Sequence, residues 1–145
     1  MLTVTRLDQA DARLLLAGAA ARARAIGVPM CIAVTDESGN LLAFERMDGG
    51  KVTSITVAQD KAFTAAAARK ATHEYNQACV PGNLVFGIHT ALSGRLSVVG
   101  GGLPVLVEGE VVGAIGLSSG TPQQDIDCAQ AGIDHFLQHR QAVQL

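Results

Sequence analysis

Residues 100–125 combine a glycine loop, two apolar segments and a helix start in the sequence GGGLPVLVEGEVVGAIGLSSGTPQQD. The apolar segments 103–108 and 111–117 are rich in Val, Leu and Ile, and Glu108-Gly109-Glu110 separates them. Short apolar runs joined by a glycine-containing turn predict a β-hairpin. Directly after the second apolar segment and its polar turn, Thr121-Pro122-Gln123-Gln124 predicts the start of a helix.

The two ends of this predicted hairpin carry groups that could bind an anion. Thr121 and Gln124 have the spacing of a capping box, so the helix start would offer free N–H groups. Three consecutive glycines allow close backbone approach, although glycine loops are also common turns. Both interpretations stay open for the candidate ligand-binding residues, which are Gly100, Gly101, Gly102, Ser118, Thr121 and Gln124.

Composition favours one globular domain that spans residues 1–145. Hydrophobic residues make up 48% of the chain and charged residues 17%, so an ordered core is expected. The net charge of −2 gives no basic surface for nucleic acid, and no apolar run reaches the ~20 residues of a membrane helix. Three widely spaced cysteines predict reduced thiols in the cytoplasm rather than disulfides or a metal site.

Upstream of this stretch, the pattern predicts two helices and another hairpin. A first helix is expected from a Thr5 cap to Gly27, and a hairpin from strands 30–35 and 41–47. An alanine-rich helix capped by Thr53 or Ser54 should then run to about residue 72. Its small side chains would allow close packing on a sheet or on a second copy of the chain. From residue 73 to 97 the pattern weakens, and Leu84, Val85, Phe86 and Ile88 are expected to pack inward.

Three charged side chains in these elements could take part in a site. Arg46 and Asp48 lie at the end of the predicted strand 41–47, where they could hold a ligand or form a surface ion pair. Lys61 lies among alanines, so it could reach an anion or extend its ammonium group into solvent. The two alternatives stay open for each residue.

The weakly patterned segment 73–97 carries most of the side chains that commonly bind metals or cofactors. His73, Tyr75, Cys79 and His89 all fall within it, and a loop of this length is more often functional than idle. His135 and His139 share a helix face, but the sequence gives them no adjacent third ligand, so we predict no metal site there.

Three segments together resemble the GlcG/HbpS family, also called DUF336, which includes the C-terminal domain of PduO-type proteins. They are IAVTDESGNLLAFERMDGG, QDKAFTAAA and the 100–125 stretch followed by CAQAG. The resemblance implies an α+β fold with a profilin-like antiparallel sheet of about five strands flanked by helices, the fifth coming from residues 96–99. It also implies a homo-oligomer, at least a dimer, and binding of haem or a related tetrapyrrole.

Two main functional hypotheses and one purely structural alternative follow. The first is a binding protein for haem or a similar flat cofactor, with His73 and His89 as candidate iron ligands and Tyr75, Met47 and Cys79 behind them. No histidine precedes His73 and aromatic residues make up only 3%, so we expect haem affinity to be weak or absent in the isolated protein.

The second function is a cofactor-independent isomerase, hydratase or lyase for a small carboxylate metabolite, so whether the chain is an enzyme stays open. Its carboxylate would be held by Arg46 and by the glycines at 100–102, while Lys61, Asp48 or Asp125 moves a proton. This hypothesis requires the glycine loop to lie close to Arg46 and Lys61. The third alternative is a purely structural partner of a catabolic enzyme.

Overall fold

The computed structural model describes residues 1–144 and contains one four-stranded antiparallel sheet between two helical layers. The elements in chain order are α1 (Gln9–Ile26), β1 (Cys31–Asp36), β2 (Leu41–Arg46), α2 (Thr53–Ala68), α3 (Thr72–Ala78), a 3-10 segment (Ile88–Gly94), β3 (Gly102–Val107), β4 (Glu110–Ser118) and α4 (Pro122–Gln144). The strand order is β2-β1-β4-β3, which places the two predicted hairpins side by side. The α+β prediction is therefore confirmed, with four strands rather than about five.

The expected fifth strand at residues 96–99 does not form. This segment is irregular. Its backbone forms hydrogen bonds with side chains of α2 and α3 and not with a neighbouring strand. The Ser97 amide donates to Thr64 Oγ1 at 2.8 Å, and the Val99 carbonyl accepts from Thr72. Apolar composition indicated a strand, but these side-chain partners satisfy the backbone in another way.

Helix starts follow the capping chemistry only in part. Asp8, rather than Thr5, caps α1, and it forms a reciprocal capping box with Asp11. Helix α2 starts at Thr53 after Val52 without a side-chain cap, and it ends at Ala68, short of the predicted residue 72. The Thr121–Gln124 box of α4 is confirmed by hydrogen bonds of 2.9 and 3.2 Å.

The two faces of the sheet differ in side-chain size. One face presents large aliphatic side chains, such as Ile32 and Ile115, to α1 and α4. The other presents small residues to α2, among them Ala33 and Gly116, which are paired across β1 and β4. A Cβ on Gly116 would lie only 2.3 Å from the Ala58 carbonyl oxygen, so α2 rests almost directly on the strand backbone.

This close packing uses the small side chains of α2 within the subunit. Ala58, Ala62, Ala65 and Ala66 are all fully buried against the sheet of the same chain. That face is therefore not open to a second copy, which was one of the two uses predicted for it.

The segment between α3 and β3 exposes apolar side chains instead of burying them. Leu84 is fully exposed and Phe86 is 53% exposed, so the expectation that both pack inward is wrong. The segment consists of turns and the 3-10 segment, and the other two side chains of this expectation, Val85 and Ile88, are half-buried.

Candidate functional site

Lys61 is enclosed in the core with a carboxylate partner. It projects from α2, and its Nζ donates to Asp125 Oδ2 at 3.0 Å and to the Leu117 carbonyl oxygen at 2.8 Å. Only 1% of Lys61 and 2% of Asp125 is exposed. The ammonium group thus does not extend into solvent, and the ion pair joins α2, the end of β4 and the first turn of α4.

Burial shifts both members of this pair toward their neutral forms. Desolvation lowers the pKa of Lys61, and the attraction of Asp125 opposes that shift. Desolvation also raises the pKa of Asp125, and Lys61 opposes it in turn. Asp125 Oδ1 additionally accepts from the Gly120 amide at 3.0 Å, which favours the ionised carboxylate. The arrangement is that of an internal ion pair with further backbone hydrogen bonds.

The glycine loop lies against this pair. A Cβ at Gly101, whose φ is +130°, would be 2.8 Å from Lys61 Nζ, so only glycine leaves room for the lysine. The Gly102 amide donates to Thr72 Oγ1 at 3.0 Å and is therefore already occupied by the protein. The predicted proximity of the glycines and Lys61 is present, although all three glycines are buried.

Arg46 lies elsewhere. It ends β2, at the opposite edge of the sheet from β3, and its register partner in β1 is Cys31, which itself pairs with Ser118. At ~4.8 Å between neighbouring strands, three steps separate the two edges by ~14 Å of backbone. Arg46 is exposed and lines a cavity whose walls do not include Lys61.

Ser118 belongs to a chain of hydroxyl groups at the start of α2. Ser118 Oγ and Ser119 Oγ both donate to Ser54 Oγ, at 3.0 and 2.8 Å, and the Lys51 amide donates to Ser119 Oγ. These bonds fix the end of β4 to the start of α2. Thr121 and Gln124 are likewise engaged in capping each other's backbone amides.

The cavity that Arg46 lines has a volume of about 600 Å³ and lies between the C-terminal end of α1 and the end of β2. Its walls combine apolar side chains with two arginines and two acids. The lining residues are Ala23, Arg24, Gly27, Val28, Pro29, Glu45, Arg46, Met47 and Asp48. Sequence reasoning identified Arg46, Met47 and Asp48 separately but missed Arg24. The only indication of Arg24 in the sequence was its position one turn before Gly27-Val28-Pro29, where α1 ends.

The candidate histidines do not line this cavity. The Cβ of His73 lies beside Gly100 of the glycine loop, and the buried Nδ1 of His73 has no hydrogen-bond partner among the described residues. His89 is exposed, and its Nδ1 lies 3.2 Å from the Cys79 sulfur. The two histidines therefore occupy separate environments.

Comparison with known proteins gives one family and several close relatives. The model of the family described as "Haem degrading protein HbpS-like" matches residues 7–134. An uncharacterised 15.0 kDa protein from the dhaT-dhaS intergenic region of Citrobacter freundii is 38% identical, over 92% of this chain and 94% of that protein.

Two solved structures are similar over most of their length. The Klebsiella pneumoniae protein ORFY, assigned to DUF336, superposes with a TM-score of 0.92 at 34% identity and covers 94% of both chains. A PduOC:heme complex superposes with a TM-score of 0.87 at 32% identity, covering 90% of this chain and 95% of that one.

Proposed function

Because this chain belongs to the HbpS-like family, we propose that it is a homo-oligomeric binding protein for haem or a related tetrapyrrole. The observation that carries the proposal is the cavity of about 600 Å³ with Arg24 and Arg46 on its wall. Pockets for small ligands and cofactors commonly have volumes of ~300–1,000 Å³. A relative of 32% identity is a haem complex, which supports the ligand class.

The residues of the cavity suit the parts of such a ligand. The apolar ring would contact Val28, Pro29 and the Met47 side chain. Arg24 and Arg46 would each pair with a ring carboxylate, for which the planar guanidinium group is well shaped. Bound iron would supply redox chemistry. Of the candidate iron ligands named from the sequence, only Met47 lines the cavity, so its thioether would hold the iron.

Weak affinity is expected from this set of residues. A thioether is a softer donor than imidazole and holds ferric iron less firmly. Binding should therefore depend mainly on the ring and its carboxylates.

The three free cysteines of the chain support a reducing compartment such as the cytoplasm, which we include in the proposal. Within residues 1–144, the helices are all too short or too polar to cross a membrane.

The test is a titration of the purified protein with haemin, followed by the Soret band. We expect saturable binding in the micromolar range, weakened about 5–10-fold by Arg46→Gln or Arg24→Gln because each loses a charge-assisted hydrogen bond. Metal-free protoporphyrin should bind with similar affinity, and Met47→Leu should change the haem spectrum more than the affinity. The matched control is Arg22→Gln, since Arg22 lies on the same helix but pairs with Asp127.

Two results would count against the proposal in different ways. Absence of saturable binding to either ring would refute the function. Loss of binding in His73→Ala or His89→Ala, with the arginine variants unchanged, would keep tetrapyrrole binding but move it away from this cavity.

The enzyme hypothesis stays second, and one observation favours it. Lys61 and Asp125 have opposed pKa shifts beside a glycine loop, as in many proton-transfer sites. A substrate could reach Lys61 only if this loop opened, because the pair is enclosed. Slow modification of Lys61 by a small aldehyde and borohydride, protected by a carboxylate metabolite, would support this hypothesis.

A further inference from the structure

A thiol and an imidazole meet on the surface segment between α3 and β3. Cys79 Sγ lies 3.2 Å from His89 Nδ1, although the two residues are ten positions apart. Cys79 is partly exposed and His89 is exposed, so small reagents can reach both groups. This pair is separate from the cavity at Arg46 and from the Lys61–Asp125 pair.

Successive hydrogen bonds hold the segment that brings the two side chains together. The Cys79 amide donates to the Tyr75 carbonyl oxygen at 2.7 Å, which fixes the cysteine at the end of α3. The side chain of Asn83 donates to the Ala78 carbonyl oxygen at 2.9 Å. Four more turn bonds are donated by backbone amides between residues 83 and 90, so the contact is built into the folded segment.

The His89 ring is oriented by its neighbours as well as by the thiol. The Phe86 ring packs against it with 5.9 Å between centroids and an interplanar angle of 51°. The Thr90 amide and hydroxyl both donate to the Gly87 carbonyl oxygen, which fixes the backbone on the other side of His89. In the tautomer protonated at Nε2, the Nδ1 lone pair faces the thiol and can accept its proton.

The other two cysteines provide internal references. Cys31 and Cys128 are fully buried. Burial raises the pKa of the Cys31 thiol, and it raises the pKa of Cys128 to about 11. Thiolates are the reactive form, so neither thiol should react in the folded protein.

We propose that Cys79 is a reactive thiol for peroxides and small electrophiles, with His89 as its proton acceptor. With hydrogen peroxide, the Cys79 sulfur attacks one oxygen as its proton passes to His89 Nδ1, and the O–O bond breaks. The departing hydroxide takes the proton back from the imidazolium and leaves as water. Sulfur is oxidised by two electrons to sulfenic acid and peroxide is reduced, so the step balances without another reactant.

The test measures the rate of alkylation of each cysteine in the reduced, full-length protein. Iodoacetamide is added at a series of pH values from 5.5 to 9, and peptides are quantified by mass spectrometry. We expect Cys79 to react at least about tenfold faster than Cys31 and Cys128. We expect His89→Gln to slow the alkylation of Cys79 about tenfold near pH 6.5, because the variant lacks the imidazole that accepts the thiol proton. With peroxide, dimedone should label Cys79 and not Cys79→Ser.

The control is His139→Gln, which changes a histidine at the far end of the chain, on α4. It should leave the Cys79 profile unchanged, and thermal melts should show that all variants fold. The proposal is overturned if His89→Gln has the wild-type rate and pH profile, or if Cys79 reacts no faster than the two buried thiols.

Discussion

Lys61 carries a charge into a core made mainly of alanine, glycine and aliphatic side chains. Removing an ammonium group and a carboxylate from water costs several kcal/mol per ion, and their mutual attraction must offset it. The acceptors at Asp125 and Leu117 satisfy two of the three lysine N–H groups. Removal of one partner alone would leave the other charge buried without compensation.

We therefore expect Lys61→Met to lower the free energy of unfolding by about 3–5 kcal/mol, measured by urea denaturation. The double variant Lys61→Met/Asp125→Asn should cost less than Lys61→Met alone, because both charges are gone and Asn can still accept from Gly120. A loss below about 1 kcal/mol in Lys61→Met would mean that Asp125 finds water or becomes protonated easily.

Side-chain partners of this kind mark the limit of what the sequence could predict. The capping box of Thr121 and Gln124 was predicted because its members are three positions apart. The burial of Lys61 was not, because its partner lies 64 positions later in the chain. The predicted proximity of Arg46 to the glycines assumed a way in which the two hairpins meet. The strand order instead puts Arg46, on β2, and the glycines, before and at the start of β3, at opposite edges of the sheet.

At the scale of elements, α2 and β4 approach each other as backbones. Gly116 permits this, since an added Cβ would be 2.3 Å from the Ala58 carbonyl oxygen and 2.4 Å from the Ala62 nitrogen. Both atoms belong to the helix backbone, which cannot turn aside as a flexible side chain could. Local sequence predicted both elements, but their distance is set by which residues face each other.

Gly116→Ala should therefore destabilise the protein by about 1–3 kcal/mol or more, because α2 must move as a unit. Gly27→Ala serves as the comparison, since a Cβ there meets nothing within 4 Å and only a left-handed φ of +72° opposes it, at ~1–2 kcal/mol. Thermal melts of both variants give the ranking. A smaller loss for Gly116→Ala than for Gly27→Ala would contradict the close packing of helix on strand.

The whole molecule still has apolar surface that its own fold does not cover. Leu2, Val4 and Leu106 are exposed, and they lie beside a cavity of about 510 Å³ near the open edge of β3. Exposed apolar side chains at a sheet edge favour association with another chain. This patch replaces the alanine face of α2 as the surface on which a second copy could pack.

We expect sedimentation at micromolar concentration to give at least a dimer of the 15.0 kDa chain, with a total interface of roughly 1,200 Å² or more. Leu106→Glu should shift the equilibrium toward monomer. Leu84→Glu is the comparison, because it makes the same change at another exposed leucine, which lies on a different segment. A wild-type monomer would refute the oligomer, and dissociation by Leu84→Glu alone would move the interface to the segment near Cys79.

The pairing of β1 with β4 also determines the order of events during synthesis. β1 is buried along its whole length and lies between β2 and β4. On the β4 side the partner of Val34 is Ile115, which is synthesised much later. About 80 residues must leave the ribosome in the interval, which takes ~4–16 s at ~5–20 residues per second. Until then an apolar strand edge remains open, so a nascent chain stalled before β4 should bind chaperones or aggregate, and one released after it should not.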